Sequence, residues 1–164
     1  MEIEQGDLLK YLERLSDTWV GEGAGEYPTI SPFSYREVLT FEAAESKAYW
    51  HFDQRTWLKD ENGKETQSHW ESGFWRFLQN NEIELLCTQS SGRIEIARGR
   101  LSLIDGGFRI EFQSSQFANN ARVDRSWREY SLRGDILQYS LKMQTKEVPE
   151  LAVHVQAQLR RGEG

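Results

Sequence analysis

Apolar and polar residues alternate along most of the chain after residue 18. Phe108, Ile110 and Phe112 are separated by charged residues, which is the two-residue period of a strand with one buried face. Turn-forming stretches such as Asn80-Asn81 separate these segments. The pattern predicts about ten strands, at residues 19–24, 34–44, 48–59, 65–78, 82–88, 93–103, 108–115, 123–133, 136–145 and 151–160.

A helical pattern precedes the strands. Leu8, Tyr11, Leu12 and Leu15 recur at helical spacing, which predicts a short N-terminal helix at about residues 7–15.

Short turns between successive strands favour antiparallel neighbours. A ten-strand meander closes most simply into a barrel, because closure removes the exposed edges. We therefore predict an all-β fold: a single antiparallel up-and-down β-barrel over about residues 18–160, with a two-sheet sandwich as the alternative. No linker or repeat divides the sequence, so we expect one domain over residues 1–164. A barrel of this size has room for a ligand.

Composition excludes several classes of protein. Eight Phe, six Tyr and six Trp can bury a core, which argues against disorder. The net charge of −6 leaves no basic stripe that would bind nucleic acid. The sequence also lacks a run of 18 apolar residues, which a membrane-spanning helix would need. The acidic N-terminus does not resemble a secretory signal, and the single cysteine, Cys87, suits a reducing compartment. We expect a cytoplasmic protein.

Common enzyme motifs are absent. The sequence has no phosphate loop, no dinucleotide fingerprint and no nucleophile elbow, and its three histidines lack the spacing of a zinc site. The acidic residues are scattered over alternating strands, which we interpret as a solvated surface. Cys87 follows two leucines and is expected to be a buried, inert thiol. The glycine-rich stretch at residues 21–25 indicates a close approach of strands at a barrel corner rather than a phosphate cradle.

His154 has an orientation that the sequence leaves open. Strict alternation places it on the face of Gln156, opposite Val153 and Val155. If the apolar face lines the barrel, His154 points outward and cannot bind a ligand inside. A β-bulge near Pro149, a position at the rim or a partly polar interior would reverse this orientation.

Several stretches together resemble one protein family. They are Trp-Val-Gly-Glu-Gly at 19–23, Tyr-Pro-Thr-Ile at 27–30, Arg-Thr-Trp at 55–57, His-Trp-Glu-Ser-Gly-Phe-Trp-Arg at 69–76, Arg-Glu-Tyr at 128–130 and His-Val-Gln-Ala-Gln-Leu at 154–159. In order and spacing, over residues 15–160, they resemble the nitrobindin family. Members of that family are haem b-carrying barrels that are similar to fatty-acid-binding proteins.

The resemblance implies a site. The histidine of the family's terminal His-x-x-Ala-x-Leu stretch, its axial haem ligand, falls on His154. A threonine that contacts the haem falls on Thr29, and a histidine on the other side of the haem falls on His69. His69 would serve as a hydrogen-bond donor there, or is simply a polar residue on a half-buried strand. Arg or Lys at the rim would meet the propionates.

The implied function is that of a haem-dependent peroxynitrite isomerase. The resemblance implies one haem b per chain, which binds nitric oxide and isomerises peroxynitrite to nitrate at ferric iron. Asp17, Val153 and Ala121 depart from the family pattern, where a glycine, a proline and, in some members, a lysine stand.

Two alternatives stay open. One is a haem-free carrier of a fatty acid or another hydrophobic molecule, whose carboxylate would be met by Arg55, Arg76, Arg128 or Tyr130. The other is an interaction module whose interior is filled by its six tryptophans and other aromatic residues. The sequence does not predict the oligomeric state.

Overall fold

The computed structural model describes residues 5–162, with side chains from residue 9 onward. The elements are α1 (Gln5–Glu13), β1 (Asp17–Tyr27), β2 (Ile30–Ala43), β3 (Tyr49–Lys59), β4 (Glu65–Phe77), β5 (Glu82–Gln89), β6 (Ile94–Ile104), β7 (Gly107–Ala118), β8 (Val123–Arg133), β9 (Ile136–Thr145) and β10 (Ala152–Arg161). All ten predicted strands are present, and the helix lies two residues nearer the N-terminus than predicted. No helix in the part of the chain described has the length and apolar character needed to cross a membrane.

The strands form one closed antiparallel barrel in the order β1-β10-β9-β8-β7-β6-β5-β4-β3-β2. Closure occurs at β1, where Gly23 pairs with Tyr35 of β2 on one side and with Ala157 of β10 on the other. Each of the ten strands in residues 5–162 therefore has two partners, and no edge is left unpaired. This confirms the predicted barrel and excludes the two-sheet sandwich.

The hydrophobic core fills the end of the barrel that α1 covers. Leu12 and Leu15 are buried there against Trp19, whose Nε1 donates a hydrogen bond to the carbonyl of Leu15 at 2.8 Å. Trp75 packs edge-on against Phe41, with ring centroids 4.7 Å apart. Burial of each large apolar side chain stabilises the fold by roughly 1.5–3 kcal/mol. Space for a ligand is therefore confined to the other end.

Two glycines of β1 let aromatic rings lie flat against the barrel wall. A Cβ atom on Gly23 would lie 2.2 Å from the Tyr35 ring, and one on Gly25 would lie 2.1 Å from the Phe33 ring. Only glycine leaves room for such an approach. The predicted close approach is confirmed, and at these two positions the approaching groups are rings of β2.

Candidate functional site

A cavity of about 700 Å³ opens at the end of the barrel away from α1. This volume lies within the range of about 300–1,000 Å³ that small-molecule sites have. The cavity brings together the three site residues that the sequence indicated, Thr29, His69 and His154. Thr29 lies at the rim, in the turn between β1 and β2. The alternative of a module with a filled interior is therefore wrong.

A β-bulge turns His154 into this cavity. Where β10 pairs with β9, Val153 lies opposite Lys142 and Val155 lies opposite Leu141, so His154 is an extra residue between them. The alternation shifts by one residue at this point. Both His154 and Val155 line the cavity, whereas Val153 is 36% exposed. The orientation expected from strict alternation is wrong, and the bulge that would reverse it lies at His154 itself.

The imidazole of His154 is held by its neighbours in one orientation. Its Nδ1 lies 3.3 Å from the carbonyl oxygen of Glu26, and its ring meets those of Tyr27 and Phe33 edge-on, with centroids 5.5 and 6.1 Å away. Burial lowers the pKa of His154, so the ring is neutral at pH 7. The carbonyl contact assigns the remaining proton to Nδ1 and leaves an unprotonated Nε2, as in histidines that bind metals.

His69 lies on the wall that faces His154. In the ring of ten strands, β5 is diametrically opposite β10, and β4, which carries His69, is next to β5. The backbone N–H of His69 donates to Thr56 Oγ1 at 3.0 Å, and its Nε2 donates to the Glu71 carboxylate at 3.3 Å. The structure thus places a second imidazole across the cavity from the first.

Buried charged side chains form the floor of the cavity. Arg128 is only 4% exposed and reaches both Glu71, at 2.5 and 3.2 Å, and Glu95, at 2.8 Å. Ser126 also donates a hydrogen bond to Glu95. Burial by itself raises the pKa of Glu71. The Arg128 charge and the His69 contact lower it by a larger amount, so the pKa lies well below the usual range. Glu71 is therefore a carboxylate at neutral pH.

A second buried network surrounds Glu37. Gln54 Nε2 donates to one of its carboxyl oxygens at 2.6 Å and the Tyr139 hydroxyl donates to the other at 2.5 Å. The Tyr35 and Tyr139 hydroxyls are 2.8 Å apart. Because burial outweighs these hydrogen bonds, the pKa of Glu37 is raised to about 7.

The interpretation of the acidic residues as a solvated surface is wrong for these carboxyls. Glu37, Glu71 and Glu95 are each at most 2% exposed. The strand alternation could have predicted the burial of Glu37. It lies two residues from both Tyr35 and Leu39 on β2, so it faces the same side as these buried residues.

Other candidate residues are divided between the inside and the outside of the barrel. Arg128 and Tyr130 line the cavity, whereas Arg55 and Arg76 lie on its outer surface. Cys87 is buried as expected, and burial raises the pKa of its thiol to about 12.

The tryptophans do not line the cavity. Trp19, Trp50 and Trp75 belong to the core. The others stack against cations on the outer surface, in the pairs Trp57 with Arg36, Trp70 with Arg55 and Trp127 with Lys142. The aromatic cavity walls are made by tyrosines and phenylalanine instead: Tyr27, Phe33, Tyr35, Tyr130 and Tyr139.

Comparison with known proteins identifies the family. Residues 8–161 match the family model described as "THAP4-like, heme-binding beta-barrel domain". The chain belongs to this family, the nitrobindins. The expectation of a haem-binding barrel is thereby confirmed.

Relatives of this nitrobindin carry an enzyme name. It is 33% identical over 153 residues to a protein of Nocardia farcinica named peroxynitrite isomerase, covering 92% of this chain and 88% of that one. It is 35% identical over 161 residues to peroxynitrite isomerase 1 of Mycobacterium tuberculosis, covering 93% and 94%. The crystal structure of Rv2717c from M. tuberculosis superposes with a TM-score of 0.85 at 32% identity, covering 94% of this chain and 97% of that one.

Two departures from the nitrobindin pattern have a structural context. Asp17, in place of a glycine, accepts a hydrogen bond from Arg161 at 2.7 Å and joins the start of β1 to the end of β10. Ala121, in place of a lysine, lines the cavity. Asp17 therefore links the two strands at which the barrel closes, and Ala121 adds a small apolar side chain to the cavity wall.

Proposed function

We propose that this nitrobindin binds one haem b per chain in its cavity, with His154 as the iron ligand. The observation that carries the proposal is the bulge at His154, which breaks the strand alternation and turns a neutral imidazole inward. A bulge interrupts the ladder of strand hydrogen bonds, and such features recur beside functional sites. The Nδ1 contact with Glu26 supports a free Nε2 for the iron.

The remaining cavity residues fit a porphyrin. Tyr27 and Phe33 offer apolar ring surface beside His154. Arg122 and Lys146 line the cavity at its mouth and offer positive charge to propionates. Thr29 would contact the haem edge, and His69 would face the haem from the opposite wall, with its Nε2–H held by Glu71.

We further propose that the haem-loaded protein binds nitric oxide and isomerises peroxynitrite to nitrate. Both ions contain one nitrogen and three oxygens and carry one negative charge, so the rearrangement needs no external oxidant, reductant or proton. Haem, when bound, would supply a redox-active iron. The chain's own residues hold the iron through His154, exclude bulk water with the aromatic wall and offer hydrogen bonds to the anion. No acid–base pair is needed.

We propose that residues 1–164 form one domain and that the protein is cytoplasmic. The haem-free fatty-acid carrier is less well supported, because both terminal nitrogens of Arg128 are bound to Glu71 and Glu95 and are not free to meet a lipid carboxylate.

The deciding experiment is a titration with haemin followed by absorbance. Wild-type protein is expected to develop a Soret band that saturates at one haemin per chain, and His154→Ala to lose it and regain it with added imidazole. His51→Ala is the matched control, because His51 binds Ser72 on the outer surface at 3.0 Å. Unchanged spectra in His154→Ala would overturn the ligand assignment. Tight binding of a fluorescent fatty acid by delipidated protein that ignores haemin would favour the carrier.

Peroxynitrite decay and nitrate yield then test the activity. In stopped-flow mixing, ferric haem-loaded protein is expected to accelerate the decay with nitrate as the product. Haem-loaded protein that leaves the decay unchanged would contradict the isomerase.

A further inference from the structure

The wall opposite His154 is unusually rich in hydrogen-bond donors. Ser68 and His69 line it from β4, Gln89 from the end of β5, and Ser91 and Arg93 from the turn that joins β5 to β6. These strands are centred on β5, which lies diametrically opposite β10 in the ring. Ser68, Gln89, Ser91 and Arg93 can each donate a hydrogen bond, whereas the Nε2–H of His69 is donated to Glu71.

The turn between β5 and β6 holds its donors in one corner. The backbone N–H of Gln89 donates to the carbonyl of Arg93 at 2.9 Å, and the N–H of Gly92 donates to the carbonyl of Gln89 at 2.8 Å. These bonds close the hairpin and place the two long side chains side by side. Gln89 is buried, and its amide makes only a 4.0 Å contact with the sulfur of Cys87.

Arg93 is a cation without a carboxylate partner. Within residues 9–162, no acidic side chain lies within ion-pair distance of it. Its buried Nε has no hydrogen-bond acceptor there, and the same is true of the Nε atoms of Arg109 and Arg128. Arg128 binds both Glu71 and Glu95, and the charges of these two carboxylates also act on Arg93 from beyond ion-pair distance. The Phe117 ring lies 6.0 Å from the guanidinium and offers a cation–π contact but no acceptor oxygen. Burial lowers the pKa of Arg93, although a guanidinium stays protonated at neutral pH.

A buried N–H without a partner costs free energy that an arriving acceptor would recover. A partner that suits the guanidinium is an anion with more than one acceptor oxygen, small enough to enter the cavity. We propose that Arg93, together with Gln89 and Ser91, forms a subsite for a small nitrogen oxyanion on the wall that faces His154. This inference rests on the proposed function and names the group that would hold peroxynitrite and nitrate.

The chemistry of the two ions suits a guanidinium. Both are monoanions with acceptor oxygens spaced to meet its two-pronged face, so Arg93 would bind substrate and product alike. Because the charge is unchanged by the rearrangement, Arg93 acts by binding and orientation and transfers no proton. A haem propionate is the competing partner. Arg122 and Lys146 are exposed and available for propionates at the mouth, whereas the Nε of Arg93 is buried.

The first test compares an anionic with a neutral ligand of ferric, haemin-loaded protein. Arg93→Gln is expected to raise the Kd for azide about tenfold and to leave the Kd for imidazole and for haemin unchanged. Arg93→Lys keeps the positive charge and should raise the Kd for azide by a smaller factor. Arg125→Gln is the control, because Arg125 is exposed and does not line the cavity. An equal loss for azide and imidazole would overturn the subsite. A weakened affinity for haemin instead would identify Arg93 as a propionate partner and overturn it as well.

A second test does not depend on haem. Nitrate is titrated into the haem-free protein, and the Nε–Hε signal of Arg93 is followed by NMR. A saturable shift in wild-type protein and in Arg125→Gln is expected. If no shift occurs, the subsite is refuted even where haemin binds. If the shift occurs in a protein that fails to bind haemin, the subsite stands and the proposed haem function fails.

Discussion

Tyr139 donates a hydrogen bond to Glu37 at 2.5 Å inside the barrel, where Glu37 has no exposure to solvent. The two buried carboxyls Glu37 and Glu71 differ in what surrounds them. Glu71 has the guanidinium of Arg128, which holds its pKa well below the usual range, against the effect of burial. Glu37 has only neutral donors, so burial raises its pKa to about 7.

This difference predicts a pH dependence of stability. In the folded protein Glu37 has a pKa of about 7, above its ordinary value of 4.5, so the folded state binds more protons between these pH values. The free energy of unfolding is therefore expected to fall as pH rises from 4.5 to 7, by up to roughly 3 kcal/mol from this group. Glu37→Gln should remove that fall, as measured by urea unfolding at several pH values.

The control for this measurement is Glu111→Gln, which changes an exposed carboxyl on β7. Its pH profile should run parallel to that of wild-type protein. If Glu37→Gln also runs parallel, Glu37 is not the titrating group.

Removal of the Arg128 guanidinium should destabilise the barrel strongly. Arg128→Met leaves Glu71 and Glu95 as buried carboxylates without a cation, which costs about 3–5 kcal/mol in comparable ion pairs. Urea unfolding at pH 7 measures the loss. Arg76→Met is the matched control: Arg76 pairs with Glu84 from the outer surface, where Arg98 also reaches Glu84. Its loss should stay below about 1 kcal/mol, and equal losses for the two variants would contradict a special role for the buried pair.

Deletion of Val153 tests the bulge directly. Without the extra residue, His154 would take the outward position opposite Lys142, and Val155 would keep its place opposite Leu141. The barrel is expected to fold, but the variant should lose the Soret band in a haemin titration. Val153→Ala, which keeps the chain length, should retain the band. A deletion variant that binds haemin as tightly as wild-type protein would show that the bulge does not set the orientation.

Gly23→Ala tests the close packing of β1 against the Tyr35 ring. The added methyl would lie 2.2 Å from that ring, so Tyr35 must move and its contact with Tyr139 must lengthen. Overpacking of this kind costs about 1–3 kcal/mol, measurable by thermal or urea unfolding. Ala24→Val adds bulk at the exposed neighbouring position and should be nearly neutral. A neutral Gly23→Ala would show that the ring yields easily.

Most of the fold could be predicted from the sequence because the strand pattern is local. The largest errors are at the first hairpin, where β1 continues to Tyr27 and β2 begins at Ile30. Glycines disfavour strands in isolation, but here the Phe33 and Tyr35 rings occupy the space that their side chains would fill. This compensation is a tertiary contact and leaves no trace in the local pattern.

The site was only partly predictable. The family resemblance selected His154, Thr29 and His69, which do line one cavity. The inward turn of His154 depends on a bulge, which has no sequence signature of its own. The buried carboxyls were missed because charge was given more weight than parity, although Glu37 alternates with buried neighbours. Arg93 was missed for the same reason, because it begins the predicted strand at 93–103 with the parity of Glu95, which is buried.

The helix and the aromatic core beneath it stop the barrel at one end, so the cavity is a blind tube. Every molecule must arrive and depart through the same mouth. A bulky group seated beside His154 would narrow this mouth and would control how fast small ions reach Arg93. The rate at which ligands enter and leave through the mouth, as well as the chemistry inside, would then govern catalytic turnover.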